Sequence, residues 1–241
     1  MKELPILFKG EMSDGILDYR KWQTRRIFKE QPPESCGVIE GPQMFAPLVI
    51  KRGEEQPGPD VFGAFSEDGV WSIKCPYGQP GDRLYVKETY WAWGRWETRY
   101  DAKKGRDAWH FVDMTRECGK AYQFEQPSPI GTRARVSPAW HKRPSLFMPR
   151  HASRITLEVT AVRVERLQEI STDDARAEGI QTWIDSFKDG PHYHENGQLD
   201  AYPVSAFSRL WKSINGADSW DANPWVWVVE FRVIKPSEVA A

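Results

Sequence analysis

The chain has 241 residues, 40% of them hydrophobic, which is enough for one large domain or two small ones with a sizeable core. Its formal net charge of -1 removes whole-molecule attraction as an argument for nucleic-acid binding, so any such role must rest on a local patch. Three widely spaced cysteines, Cys36, Cys75 and Cys118, form no Cys-x-x-Cys pair and fit a reducing cytoplasm better than a disulfide framework, while the absence of an apolar leader or bilayer-length run argues against secretion and membrane insertion.

In chain order, Leu4 to Phe8 reads as a first strand and Glu11 to about Tyr19 as a short helix burying Met12, Ile16 and Leu17. Thr24 to Phe28 reads as a second strand. From residue 29 to 68 Gln-Pro-Pro, Gly-Pro and Pro-Gly-Pro punctuation predicts a long irregular insert. Val70 to Cys75 and Arg83 to Trp91, joined through the turn Gln79-Pro80-Gly81-Asp82, are expected to form a hairpin or corner. A second insert, residues 93 to 148, carries several of the twelve tryptophans, and Trp109 to Asp113 and Lys120 to Glu125 are expected to pair within it as short strands.

Arg154 to Leu167 is rich in β-branched residues and predicts a long strand. Ser171-Thr172-Asp173-Asp174 has the spacing of a capping box, and Gly179 after Glu178 supplies the stop of a short helix. Val204, Phe207, Leu210, Trp211 and Ile214 repeat at helical spacing between Pro203 and Gly216, as the core stripe of a further helix. Trp225 to Ile234 alternates and is expected to close the sheet.

Chemistry gathers first at Ile16-Leu17-Asp18-Tyr19-Arg20-Lys21-Trp22-Gln23-Thr24-Arg25-Arg26. An amine and a hydroxyl three residues apart stand here among Arg20, Arg25 and Arg26. Neighbouring cations and burial lower a lysine's pKa, and a neutral amine can take the proton of a nearby threonine. A solvated basic turn is the plainer alternative.

Four segments together resemble the ASCH family of small PUA-like barrels. Lys21, Thr24 and Arg26 match its signature Gly-x-Lys-x-x-(Thr or Glu)-x-Arg. Pro80-Gly81-Asp82-Arg83-Leu84-Tyr85-Val86 is similar to its turn into a barrel strand, Ile155-Thr156-Leu157-Glu158-Val159-Thr160-Ala161 to its central strand, and Trp227-Val228-Val229-Glu230-Phe231 to its closing strand. Over nearly its whole length the chain looks like the long, Trp-rich ASCH proteins of bacteriophages and prophages. The resemblance implies a single α+β, mainly β domain over residues 1 to 241, a PUA-like mixed β-barrel with short helices and two large irregular inserts.

In the ASCH branch that removes the acetyl group from N4-acetylcytidine, a lysine, a threonine and a strand glutamate act together, so the resemblance implies Lys21, Thr24 and Glu158 as catalytic residues, although strand alternation equally permits Glu158 to point to solvent between Leu157 and Val159. Lys21 would deprotonate Thr24, Thr24 would attack the acyl carbon, and Glu158 would orient the lysine or return a proton to the leaving amine, with Arg26 or a backbone N–H holding the oxyanion. The family's glycine position is Tyr19, and a bulky side chain tolerates the positive φ usual there badly. Trp22 would cap a base by stacking, or simply pack.

Residues 126 to 154 contain Arg133, Arg135, Lys142, Arg143, Arg150 and Arg154 and no acid, so they are either the candidate phosphate-contacting surface or a basic loop balanced in space by acids elsewhere. Tyr90-Trp91-Ala92-Trp93-Gly94-Arg95-Trp96 and Trp140-His141-Lys142-Arg143 interleave stacking faces with cations, as single-stranded or flipped-out bases require, although most of these tryptophans are better placed as packing. His192-Tyr193-His194 with Glu195 or Asp200 is a poor metal pattern, and no metal or cofactor is expected. Three readings follow: a hydrolase of an acylated nucleobase, nucleoside or related amide; a non-catalytic reader of RNA or a modified base; and a metal-independent ribonuclease. A phage assembly factor is a further class, one that would not need Lys21, Thr24 and Glu158 to meet.

Overall fold

Apolar side chains on both faces of Trp225–Val233 mark a strand buried from both sides, and the computed structural model places it next to last in an open five-stranded sheet. The structure describes residues 1–133, 137–180 and 203–234. In chain order the strands of this sheet are β1 (Glu3–Leu7), β2 (Gln23–Ile27), β8 (Arg83–Lys87), β12 (Thr156–Arg166) and β13 (Trp225–Val233), arranged β1-β8-β12-β13-β2. β13 pairs antiparallel with β12 and β2, and β12 with β8. β1 and β2 lie at opposite edges, so among the described residues the sheet does not close into the expected barrel. The chain is an α+β, mainly β protein.

It folds as two compact units. The first comprises residues 1–6, 11–85 and 155–241, the second residues 7–10 and 86–154. The first unit holds most of that sheet and, among the described residues, the helices α1 (Gly10–Leu17), α2 (Thr172–Ala177) and α3 (Pro203–Asn215). Helix α2 begins at the expected capping box, where the Ser171 hydroxyl accepts from the Asp174 N–H and the Asp174 carboxylate accepts from the Ser171 N–H. Phe207 and Trp211 of α3 pack with Ala175, Ile180, Val226 and Val228, and Val204 and Leu210 lie partly buried against them, so most of the apolar stripe read from spacing faces the core, while Ile214 at its end is exposed. Burying each such side chain contributes about 1.5–3 kcal/mol.

The expected irregular insert at 29–68 is not irregular. It forms β3 (Ile39–Phe45), β4 (Leu48–Lys51), β5 (Glu54–Pro57) and β6 (Val61–Ser66). β3 pairs with β6 and β4 with β5. Their alternation was hidden because β4 and β5 are almost wholly exposed. Nor does the segment near Val70 to Cys75 pair with Arg83 to Trp91: β7 (Ser72–Lys74) pairs with β6.

The second unit covers somewhat more than the expected insert. β9 (Tyr90–Asp101) is flanked by β10 (Arg106–Asp113) and β11 (Ala139–Arg143). Trp109 to Asp113 therefore pairs with β9 rather than with Lys120 to Glu125, which contributes only a bridge between Gln123 and Trp91. The close crossing of β9 and β10 requires Gly94, where an added Cβ would lie 2.1 Å from the Val112 carbonyl oxygen.

Candidate functional site

Helix α1 ends in a Schellman turn, with the Tyr19 N–H donating to the Ile16 carbonyl and the Arg20 N–H to the Gly15 carbonyl. Tyr19 is the left-handed residue of that turn at φ 57°, its side chain exposed. The tyrosine thus adopts the glycine-like conformation instead of diverting the chain. The cost is about 1–2 kcal/mol of backbone strain.

Beyond this turn the backbone is held from two sides: the Trp22 N–H donates to the Ala177 carbonyl at the end of α2, and the Trp22 carbonyl accepts from the Phe231 N–H of β13. Lys21 is thereby driven inward. Its stem lies against Gly179, whose φ of 89° suits glycine and where an added Cβ would sit 3.3 Å from the Lys21 Cβ. Its ammonium donates to the Glu178 carbonyl at 3.0 Å and to the Glu178 carboxylate at 2.6 Å, with both side chains buried. Burial pushes the Lys21 pKa down, Glu178 pushes it back up, and Arg26 and Arg25 lower it further.

The face of β2 carrying Gln23 and Arg25 is charged and buried. Arg25 pairs with Glu165, with Asp174 at 3.1 Å and, more loosely, with Glu178 at 3.6 Å. Arg163 joins Glu165, Asp174 and Glu230 to the same network. By strand alternation Thr24 and Arg26 project from the opposite face, Thr24 opposite Val229 and Arg26 opposite Trp227. Thr24 is buried. Burial lowers the Arg26 pKa, while Tyr77 and Glu178, both within electrostatic range, oppose the shift.

Glu158 does not reach this site. It is ion-paired to Arg232, which it faces across β12 and β13, and its side chain is partly exposed. Thr24 faces Val229, three residues along β13 and on its other flank. At roughly 3.3 Å per residue and 4.8 Å per strand the two backbones stand about 14 Å apart. The carboxylate beside Lys21 is Glu178, which spacing alone had marked only as the residue before a helix stop.

The remaining candidates are dispersed. Arg20 pairs with Asp18 at the surface, and Trp22 is half exposed. Arg133, Lys142, Arg143, Arg150 and Arg154 belong to the second unit, whereas Lys21 and Thr24 belong to the first. Arg154 is not a free phosphate contact: it makes a two-point ion pair with buried Glu88 at 2.9 and 3.0 Å and lies 4.1 Å from the Phe124 ring centroid. Trp91 and Trp140 are buried, and Trp140 meets Trp93 edge to face, as expected of packing tryptophans. Arg135 and the segment containing His192, His194, Glu195 and Asp200 lie outside the described residues. No described helix is long and apolar enough to cross a membrane.

Compared with family models, with curated proteins and with solved structures, the chain matches none.

Proposed function

We propose that the chain is an ASCH-like hydrolase of an acylated nucleobase, nucleoside or related amide, with Lys21, Thr24 and Glu178 rather than Glu158 as its working residues and the open sheet as a PUA-like core. The observation that carries this reading is the buried Lys21 amine, its pKa lowered by burial, hydrogen-bonded to the Glu178 carboxylate and three residues before a buried threonine. Glu178 accepts the proton of Lys21. Neutral Lys21 then takes the Thr24 proton as the Thr24 oxygen attacks the acyl carbon. Collapse of the tetrahedral adduct breaks the amide bond, the leaving amine receives that proton from Lys21, and water cleaves the Thr24 ester with Lys21 again as base.

A second reading, a base-binding protein without chemistry, is favoured by a different observation. Lys21 donates to both a carbonyl and a carboxylate, the way a protonated ammonium is held, and the indole of Trp22 beside it is half exposed for stacking. One experiment separates the two: N4-acylated cytidines and their nucleotides are incubated with wild-type protein and with Thr24→Ala, and hydrolysis and binding are both measured. Turnover abolished by Thr24→Ala with binding retained supports the hydrolase. Binding without turnover in the wild type refutes it and leaves the reader.

A further inference from the structure

The second unit contains a cleft of about 740 Å³, within the roughly 300–1,000 Å³ usual for small-molecule sites. It uses none of the residues assigned to amide chemistry. Tyr90, buried, forms part of its lining with Phe111, and the exposed ring of Phe147 contributes a further aromatic surface. Apolar rings around a cleft of this size suit a planar ligand.

The polar groups of the cleft are arranged as two sets. Arg143 of β11 is held by rings rather than by acids: its guanidinium carbon lies 4.4 Å from the Phe111 centroid, 4.9 Å from Trp96 and 5.7 Å from Phe147. Its Nε is buried without a hydrogen bond, and among the described residues no carboxylate pairs with it. The Tyr90 hydroxyl also hydrogen-bonds this guanidinium, and stacking fixes its plane without a paired carboxylate, so an incoming anion gains an oriented donor at little ordering cost. Arg116, exposed, adds a second guanidinium with no carboxylate partner among the described residues.

Tyr122 anchors the other set. Its hydroxyl lies 3.0 Å from Asp113 Oδ2 and 3.0 Å from His151 Nε2. The phenol has one proton, so donating it to Asp113 makes His151 Nε2 the donor to the phenol oxygen and leaves His151 Nδ1 as an acceptor. Thr115 N–H holds the other Asp113 oxygen at 2.9 Å. These links present a fixed set of acceptors and donors suited to ring N–H and hydroxyl groups. Asp113 and Glu117, balancing the two arginines, disfavour a ligand with many phosphates.

We propose that this cleft binds a single nucleotide, its base among the aromatic side chains and its one phosphate on Arg143 and Arg116, either free or as one unit of a single strand. The test is calorimetric titration of the full chain with nucleoside monophosphates, the matching nucleosides, inorganic phosphate and short single-stranded oligonucleotides. A monophosphate should bind at least about tenfold more tightly than its nucleoside or than phosphate alone, as expected when one charge-assisted contact is added to stacking. Arg143→Met and Arg116→Ala should each weaken binding, the former about tenfold or more. Arg116 is exposed, so its variant keeps the test valid should Arg143→Met fold poorly. Tighter binding of the oligonucleotide, equally sensitive to both variants, would identify a single strand as the source. Absence of binding by every ligand at millimolar concentration, or binding indifferent to both substitutions, would overturn the proposal.

Discussion

Replacing Glu178 with Gln keeps the shape of the side chain and removes the charge that balances Lys21. The Lys21 and Glu178 side chains are 2% and 5% exposed, so little water is present to replace the lost carboxylate. Breaking a buried pair from one side costs about 3–5 kcal/mol. A ceiling applies, because a stranded ammonium can release its proton: from an ordinary pKa of about 10.4, neutralising it at about pH 7 costs roughly 4.6 kcal/mol. The expected loss is therefore about 3–4.6 kcal/mol out of a total of about 5–15 kcal/mol, or a fall in Tm of roughly 6–18 °C for a chain of this size.

The pH dependence distinguishes this explanation from lost packing. Burial already lowers the Lys21 pKa and Glu178 partly restores it, so in Glu178→Gln the folded pKa falls further below the unfolded value. Between those two pKa values the unfolded chain binds more protons than the folded one, and stability of the variant rises with pH across that window. At about pH 9 the ceiling is only about 1.9 kcal/mol, so the gap to wild type should shrink by at least about a third, and by more than half if the loss at pH 7 is near its ceiling. Urea unfolding of both proteins at the two pH values measures it, and Lys21→Met combined with Glu178→Leu should recover most of the loss. A cost below about 1 kcal/mol at neutral pH, or a gap that does not narrow in base, would refute the claim that Lys21 is held as a buried ammonium.

Burial raises the Asp174 pKa, but hydrogen bonds from Ser171 and the charges of Arg25 and Arg163 together outweigh it and hold the carboxyl at about 2. Its stabilisation is complete above the unfolded value of about 3.9 and is lost as pH falls through about 2, so Asp174→Asn should flatten the acid limb of a Tm against pH curve. Tyr19→Gly relieves a left-handed tyrosine at the price of unfolded-state entropy, so circular dichroism melts should show stability unchanged or raised by up to about 1 kcal/mol; a loss of that size would mean that the exposed ring packs. Gly94→Ala places a methyl 2.1 Å from the Val112 carbonyl oxygen and should part β9 from β10, seen as faster tryptic cleavage within residues 86–154.

The elements legible in the sequence are those whose own residues determine them. Helix α2 declares itself through Ser171 and Asp174, α3 through a stripe from Val204 to Trp211, and β12 and β13 through β-branched and aromatic runs. β4 and β5 escape because exposed hairpin strands have no buried face to write a period of two into the sequence. The site divides the same way. Lys21 and Thr24 are legible as a local spacing, but the left-handed conformation at Tyr19 is not, because residue type argues against a positive φ at a tyrosine and only the Schellman bonds to Ile16 and Gly15 hold it there. The acid that meets Lys21 is not, because Glu158 and Glu178 are distinguished only by distant pairing: the register of β12 on β13 carries Glu158 to Arg232, while the end of α2, bonded through Ala177 to Trp22, delivers Glu178 to a lysine 157 residues away in sequence. A strand glutamate and a helix-terminal glutamate are equally plausible from residue types. Only the sheet register and the backbone bond at Trp22 decide between them, and both depend on long-range contacts that local spacing does not encode.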